Sequence, residues 1–493
     1  MFETITPEQA GISSRYVERF IRTLEKRGLV THSILMMRGD RIFAEAYWKP
    51  FHKDFCHRMY SQTKSYVGVA IGLLEEDGLI RLDDPICDYF PEKIQRELPE
   101  NLRNMTIRQM ITMKTCGDAP TWFTHEDPDR THLYLNENAA VIPAGMRWKY
   151  DSPGSQVLCS LVEKLTGKTL FDYMYERIFS KLGTFQTASI LKTKTEDSFG
   201  DSALLCTPRD MASFARFVMN YGVWNGERLM NAEYLRTATS PVVDNDITGF
   251  QCNESAGYGY QIWCLENGGF FFNGMGCQMT YCLPEQDLIF TITSDNQGYV
   301  PAKSLIYTAF QDIILENLQD APLPEDPAGC ESLSRLVESL ELCHLHGHKP
   351  TPFMQELNGK TYICEENRTG ITKFSLHFTS GDTGELHYTN AQGDKVLYFG
   401  LGKNVYGKFQ QYGYSTLHAG LPSTDGYLYD CAASAAFREE QKMQLKVQLI
   451  DKYFGNFLAT FSFREDYAVV RMIKTAEDFL KEYSGTFNAR LQN

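Results

Sequence analysis

Apolar residues recur at helical spacing in stretches near 14–27, 65–77, 106–114, 156–166, 170–182 and 209–221. The clearest case follows residue 64, where Val67, Ala70, Ile71 and Leu74 form an i, i+3, i+4, i+7 stripe that predicts a helix with a buried face. Gly78 then supplies a stop. Apolar strand patterns near 33–48 and 258–293 flank these helical stretches. Strands at both ends with helices between predict an α/β core. Its sheet is closed by N- and C-terminal segments, with a helical insertion. A further helix, near 302–318, is expected to pack on that sheet.

The pattern breaks at 319–327, an acidic, proline-rich stretch without periodicity. A short helix is expected near 330–342, and His348-Lys349-Pro350-Thr351-Pro352 is a second break. From Leu357 the character changes. Short alternating runs at 359–364, 372–378, 385–388, 446–450, 457–463 and 468–472 are split by Gly, Asn and Asp turns, which predicts an antiparallel barrel or sandwich. Tyr406, Tyr412, Tyr414 and Tyr427 either line a cavity in it or fill its core, and a core role is the reading taken. The expected organisation is therefore an α/β domain at 1–320, a linker with a short helix at 321–355 and an all-β domain at 356–493.

A chain of 493 residues that is 43% hydrophobic has material for more than one core. No apolar run approaches the ~18 residues of a membrane-spanning helix. A net charge of −14 argues against nucleic acid or an anionic membrane as partner. The N-terminus, Met1-Phe2-Glu3-Thr4-Ile5-Thr6-Pro7, has neither the basic start nor the apolar stretch of an export signal. The 13 cysteines are odd in number, irregular in spacing and without a C-x-x-C pair, so reduced thiols in a cytoplasmic protein are expected. Among the 11 histidines there is no H-E-x-x-H, His32 and His57 are read as structural, and the His344–His346–His348 cluster is read as a solvated stretch. No metal or cofactor is expected.

Candidate chemistry begins at Ser61-Gln62-Thr63-Lys64. Residues three apart on a helix share a face, so the Lys64 amine can reach the Ser61 hydroxyl. A serine becomes a useful nucleophile when a neighbouring base takes its proton. A helix start also offers free N–H groups where negative charge develops on an attacked carbonyl. The same spacing recurs at Ser189–Lys192, inside a polar stretch that reads as a loop. Tyr150 precedes the helical pattern at 156–166, and its phenol can relay protons beside an amine. Asp151 or Ser152 either caps that helix or, in the case of Ser152, contacts substrate. A third element, Phe270-Phe271-Phe272-Asn273-Gly274-Met275-Gly276-Cys277-Gln278, runs into further apolar strand residues and reads as a hairpin. Glycine in a strand marks close approach to the backbone, and the Gly274 N–H is a candidate oxyanion donor. Cys277 falls beside the expected cleft and is read as a small buried residue. Loops such as that at 116–138, which holds Trp122, Phe123 and His125, are expected to shape that cleft.

These elements, in this order, resemble the serine β-lactamase and penicillin-binding protein superfamily, in its class C β-lactamase-related branch. The likeness extends to Leu82-Asp83-Asp84-Pro85, to Thr106-Ile107-Arg108-Gln109-Met110-Ile111-Thr112 and to Thr207-Pro208-Arg209-Asp210-Met211. It implies a β-lactamase-like fold, an antiparallel sheet flanked by helices with a helical subdomain. More weakly, it implies a lipocalin-like C-terminal barrel. It also implies an acyl-enzyme on Ser61, with Lys64 and Tyr150 moving protons and the N–H groups of Ser61 and Gly274 as oxyanion hole. Ser152, Asn273, Met275 and Gly276 become candidate substrate contacts.

The chain departs from the pattern twice. Tyr-x-Ser stands where many relatives have Tyr-x-Asn. Phe271-Phe272-Asn273 stands where penicillin-recognising members carry Lys-Thr-Gly or His-x-Gly, so no cation on that strand awaits a substrate carboxylate. Gly274-Met275-Gly276-Cys277-Gln278 instead resembles the Gly-x-Gly-Gly-Gln of 6-aminohexanoate-oligomer hydrolases, with Cys277 replacing a glycine. The expected activity is hydrolysis of an ester or amide of a small acyl substrate. A β-lactamase or D-Ala-type peptidase, and a non-catalytic acyl-ligand or partner-binding member, are the alternatives.

Overall fold

The computed structural model of the protein describes residues 2–117, 125–245, 254–411, 428–476 and 480–492. The chain forms two compact units, Met1–Glu341 and Leu342–Asn493.

The first unit is built on a sheet of strands β1 (Glu3–Thr4), β2 (Thr31–Arg38), β3 (Arg41–Tyr47), β4 (Trp263–Cys264), β5 (Phe270–Gly274), β6 (Gln278–Leu283) and β7 (Leu288–Ser294). Their order across the sheet is β1-β3-β2-β7-β6-β5-β4. N- and C-terminal segments meet at the antiparallel β2–β7 pairing, where Ile34 lies opposite Ile292 and Leu35 opposite Thr291. Helices pack on both faces, so the central strands are buried throughout and read as continuous apolar runs. Ile34, Met36, Phe271, Phe290 and Ile292 face one core, and Leu35, Met37, Phe272 and Ile289 face the other. Each fully buried side chain of this size stabilises the fold by about 1.5–3 kcal/mol.

The helices that matter for the site are α1 (Ser14–Lys26), α2 (Thr63–Glu76), α3 (Ile107–Ile111), α4 (Arg130–Glu137), α5 (Ser152–Thr166), α6 (Pro208–Met219), α7 (Ala302–Ile313) and α8 (Pro327–Ser339). α2 is buried from Thr63 to Leu74, not only along the predicted stripe. Gly68 has a specific reason to be glycine. A Cβ there would lie 2.5 Å from the Tyr260 carbonyl, so α2 packs directly on that backbone. α3 and α6 start with capping boxes, Thr106 with Gln109 and Thr207 with Asp210. The helical pattern at 170–182 is carried by Leu170–Met174, a π-helical turn at Tyr175–Phe179 and Ser180–Leu182.

Two expectations about the first unit are corrected. The stretch 116–138, read as a loop, contains α4, which Asp129 caps through a bond from His132 N. In that stretch His125 is exposed, and Trp122 and Phe123 lie outside the described residues. The expected linker at 321–355 belongs to the first unit as far as Glu341. Leu333, Leu336 and Leu340, on and after α8, join the same core as Val17, Phe20 and Leu24 of α1. The amphipathic pattern of α8 therefore outweighs the prolines before it.

The second unit is all-β, with β8 (Thr361–Cys364), β9 (Lys373–Ser380), β10 (Thr383–Asn390), β11 (Gly393–Leu401), β12 (Val405–Lys408), β13 (Asp430–Glu439), β14 (Lys442–Ile450), β15 (Phe454–Arg464), β16 (Tyr467–Thr475) and β17 (Gly485–Leu491). Neighbouring pairs are antiparallel, and β8 pairs with β17. A parallel pairing of Gly400 and Leu401 with Ser434 and Ala435 closes the ring as a nine-stranded barrel, with β12 beside β13. Closure leaves no free edge among the strands of the ring. Inward residues such as Phe374, Leu376, Leu386, Phe437, Leu445 and Phe461 are buried. Tyr406 is 46% exposed on β12, which corrects its core reading. Tyr412, Tyr414 and Tyr427 lie outside the described residues.

Candidate active site

Ser61 sits in a 3-10 turn, Tyr60–Gln62, that runs directly into α2. Tyr60, at φ +48, takes a left-handed conformation that costs a non-glycine residue on the order of 1–3 kcal/mol. Its surroundings hold it there. Tyr60 is 1% exposed beneath the Arg58 guanidinium, 4.5 Å from its ring centre. Met59 N donates to Leu204 O at 2.8 Å, and Leu204 N donates to Thr63 Oγ1 at 3.1 Å. The turn that carries the serine is thus clamped on both sides.

Lys64, in the first turn of α2, is 1% exposed, with Nζ 2.9 Å from Ser61 Oγ. Nζ also donates to the backbone carbonyl of Asp201 at 2.7 Å. The Asp201 carboxylate lies 3.8 Å from Lys64 Nζ and 3.8 Å from Arg130 Nη1, and it is buried. Burial pushes the Asp201 carboxyl up, opposed by Lys64 and Arg130. The second S-x-x-K has no such setting. Ser189 is an exposed residue of a two-residue strand, and Lys192 pairs with Glu196 at 3.1 Å.

Tyr150 is half-buried, stacked on Trp263 with ring centres 5.7 Å apart, and Lys64 Nζ lies 5.1 Å from its ring centre. The following helix fixes this position. Asp151 is the N-cap of α5, accepting from Gly154 N at 2.9 Å and from Tyr134 Oη at 2.9 Å. Capping therefore falls to Asp151, and Ser152 occupies the first turn of α5.

β5 brings the third element to the same place. A Cβ at Gly274 would lie 2.1 Å from Met59 O and 3.3 Å from Gln62 N. Only glycine lets this strand end rest against the serine turn. The turn after Gly274 is held by Gln278, whose Nε2 donates to Met275 O at 2.9 Å and Ser294 O at 2.6 Å. Gly276 (φ +76) and Cys277 (φ +71) are both left-handed, which accounts for a glycine pair in the pattern that this turn resembles. Cys277 is 3% exposed, and burial pushes its thiol up to about 12.

Ser61, Tyr150, Asn273, Gly274, Met275, Gly276 and Cys277 line one cavity of about 310 Å³. Ser152 is not among its lining residues. Trp263, Tyr299 and Val300 add apolar wall, and Tyr299 and Val300 are exposed at 43% and 76%. Two charged residues in it escaped sequence reasoning, Glu254 and Lys303. Isolated charges in polar surroundings carry no pattern, and only the fold brings them here. Gln278 was visible as part of the Gly-x-Gly-x-Gln likeness, but its bracing role was not.

The beta-lactamase family matches residues 17–311, which include all of these elements. The chain belongs to the beta-lactamase family. It is thus a serine hydrolase of that family. Over 263 residues it is 24% identical to a 6-aminohexanoate-dimer hydrolase of Paenarthrobacter ureafaciens, a match covering 50% of this chain and 67% of the relative. A Bacillus anthracis structure, provisionally named a 6-aminohexanoate-dimer hydrolase, matches with a TM-score of 0.53 at 20% identity, over 66% of this chain and 89% of that one. The octameric penicillin-binding protein homologue of Pyrococcus abyssi matches with a TM-score of 0.50 at 15% identity. That match covers 96% of this chain and 99% of that one, so the likeness of fold extends into the barrel unit of this beta-lactamase-family chain. Among the described residues, no helix is long and apolar enough to cross a membrane.

Proposed function

We propose that the protein cleaves an amide or ester of a small acyl substrate through an acyl-enzyme on Ser61. The observation that carries this reading is the 2.9 Å approach of Lys64 Nζ to Ser61 Oγ at the root of a buried helix. In the acylation step Lys64 takes the Ser61 proton as Oγ attacks the substrate carbonyl. The Ser61 and Gly274 N–H groups receive the developing oxyanion, a role worth about 10²–10³ in rate per donor. Tyr150 passes its proton to the departing amine or alcohol and regains one from Lys64, the C–N or C–O bond breaks, and the acyl group remains on Ser61. Water then attacks the ester, returning the serine and releasing the acid. Asn273, Met275 and Gly276 contact the substrate. A linear amide is the first class to test, given the name of the curated relative. A cytoplasmic setting fits the free thiols of the described cysteines.

A β-lactam or D-Ala peptide substrate is less supported, because β5 offers no cation for its carboxylate. The deciding experiment is intact mass after exposure to a fluorophosphonate, with wild type and Ser61→Ala in parallel. One adduct on wild type that disappears in Ser61→Ala supports the reading, and no adduct on either protein overturns it.

A further inference from the structure

The cavity contains a charge pair that the proposed chemical steps do not use. Glu254 is 4% exposed, and its Oε1 lies 2.6 Å from Lys303 Nζ on the first turn of α7. The same oxygen accepts from Asn273 Nδ2 at 2.5 Å. All three residues line the cavity with Ser61 and Tyr150. Asn245, 1% exposed, braces this arrangement. Its Nδ2 donates to the Glu254 backbone carbonyl at 2.8 Å, and its Oδ1 accepts from Gly257 N at 2.7 Å.

Two physical consequences follow from Glu254. Lys303 brings to the cavity wall the cation that β5 lacks, and Glu254 neutralises it in place. A substrate carboxylate arriving here would meet a paired ammonium and a buried carboxylate, and like charges in a confined site repel strongly. Glu254 also decides which way the Asn273 amide faces. An ionised carboxylate only accepts, so the NH₂ of Asn273 must turn toward it. That leaves Asn273 Oδ1, on a side chain only 6% exposed, as a buried acceptor with no hydrogen-bond partner among the described residues. An unsatisfied buried acceptor costs free energy that a ligand N–H would recover.

We propose that Glu254 sets the charge selectivity of the site. By pairing with Lys303 and orienting Asn273, it makes the cavity favour uncharged acyl substrates that bear an N–H group over substrates that bear a carboxylate. This rests on the hydrolase reading above, and deepens it by naming the substrate class.

The test compares two p-nitrophenyl esters that differ in one group, N-acetylglycine p-nitrophenyl ester and its N-succinyl counterpart. Wild type is expected to favour the neutral ester. Glu254→Gln keeps the shape but releases Lys303, and is expected to raise the relative kcat/KM for the succinyl ester at least tenfold. Adding Lys303→Met to that variant should return the ratio to near the wild-type value, and Lys303→Met alone should move it further toward the neutral ester. A ratio unchanged within twofold in Glu254→Gln, with both esters still hydrolysed, overturns the inference and leaves the hydrolase reading standing. No hydrolysis by wild type together with no fluorophosphonate adduct overturns both.

Discussion

Lys64 meets Asp201 twice, donating from Nζ to its backbone carbonyl at 2.7 Å and lying 3.8 Å from its buried carboxylate. The carbonyl orients the amine toward Ser61. The carboxylate supplies the buried anion that Lys64 and Arg130 share. Asp201→Asn keeps the carbonyl contact but removes that anion, and by loosening the Lys64 amine beside Ser61 it should lower kcat/KM by up to about 10²-fold. Breaking the buried pairs should also lower stability, by about 3–5 kcal/mol, which urea denaturation would report. An unchanged kcat/KM in a folded variant would assign Lys64 positioning to the carbonyl alone.

Gly274 stands where β5 touches the serine turn, and an added methyl would press on Met59 O at 2.1 Å. Backbone cannot yield as a flexible side chain can, so Gly274→Ala should displace the strand end from Ser61. The expected result is a fall in kcat of at least about 10²-fold, the scale of losing an oxyanion donor. KM should change much less, because the apolar wall of the cavity is untouched. Steady-state kinetics on any ester that the wild type turns over would decide it.

His57 is 1% exposed, with Nε2 2.8 Å from His32 Nδ1 and Nδ1 2.9 Å from Arg58 O. Burial lowers its pKa to about 3. Between pH 3 and about 6.5 the unfolded chain then binds a proton that the folded protein refuses. Stability is complete above that window and is lost as pH falls into it. The expected loss between pH 7 and pH 5 is about 2 kcal/mol from this group. Urea midpoints at the two pH values should diverge in wild type, and less so in His57→Asn.

Cys277 lines the cavity, yet with its thiol raised to about 12 only about one molecule in 10⁴ carries the thiolate at pH 8. Iodoacetamide applied to the native protein at pH 8 should leave Cys277 unmodified while alkylating the exposed Cys343. Peptide mass mapping reads both sites in one digest. Rapid modification of Cys277 in the folded protein would show that the thiol is ionised by a group other than those around it here.

The sequence by itself determined what is local in the chain. Ser61 and Lys64 meet because residues three apart on a helix must, and Thr207 with Pro208 and Asp210 starts α6 because that triplet satisfies its own N–H groups. The alternating runs after Leu357 announced a β unit for the same reason, since side chains along a strand alternate by geometry. The family likeness put Tyr150 and Gly274 in order without their distances. Tertiary structure decided everything that depends on chain closure. Asp201 lies 137 residues from Lys64 and Lys303 lies 49 from Glu254, and no periodicity links residues so far apart. A lone Asp or Lys in sequence looks like any solvated charge, and it becomes part of a site only when folding sets α2 and α4 beside Asp201 and α7 beside Glu254. The break before α8 misled for a related reason. Prolines speak about the backbone beside them, whereas Leu333 and Leu336 had a distant partner in α1 that only folding supplies.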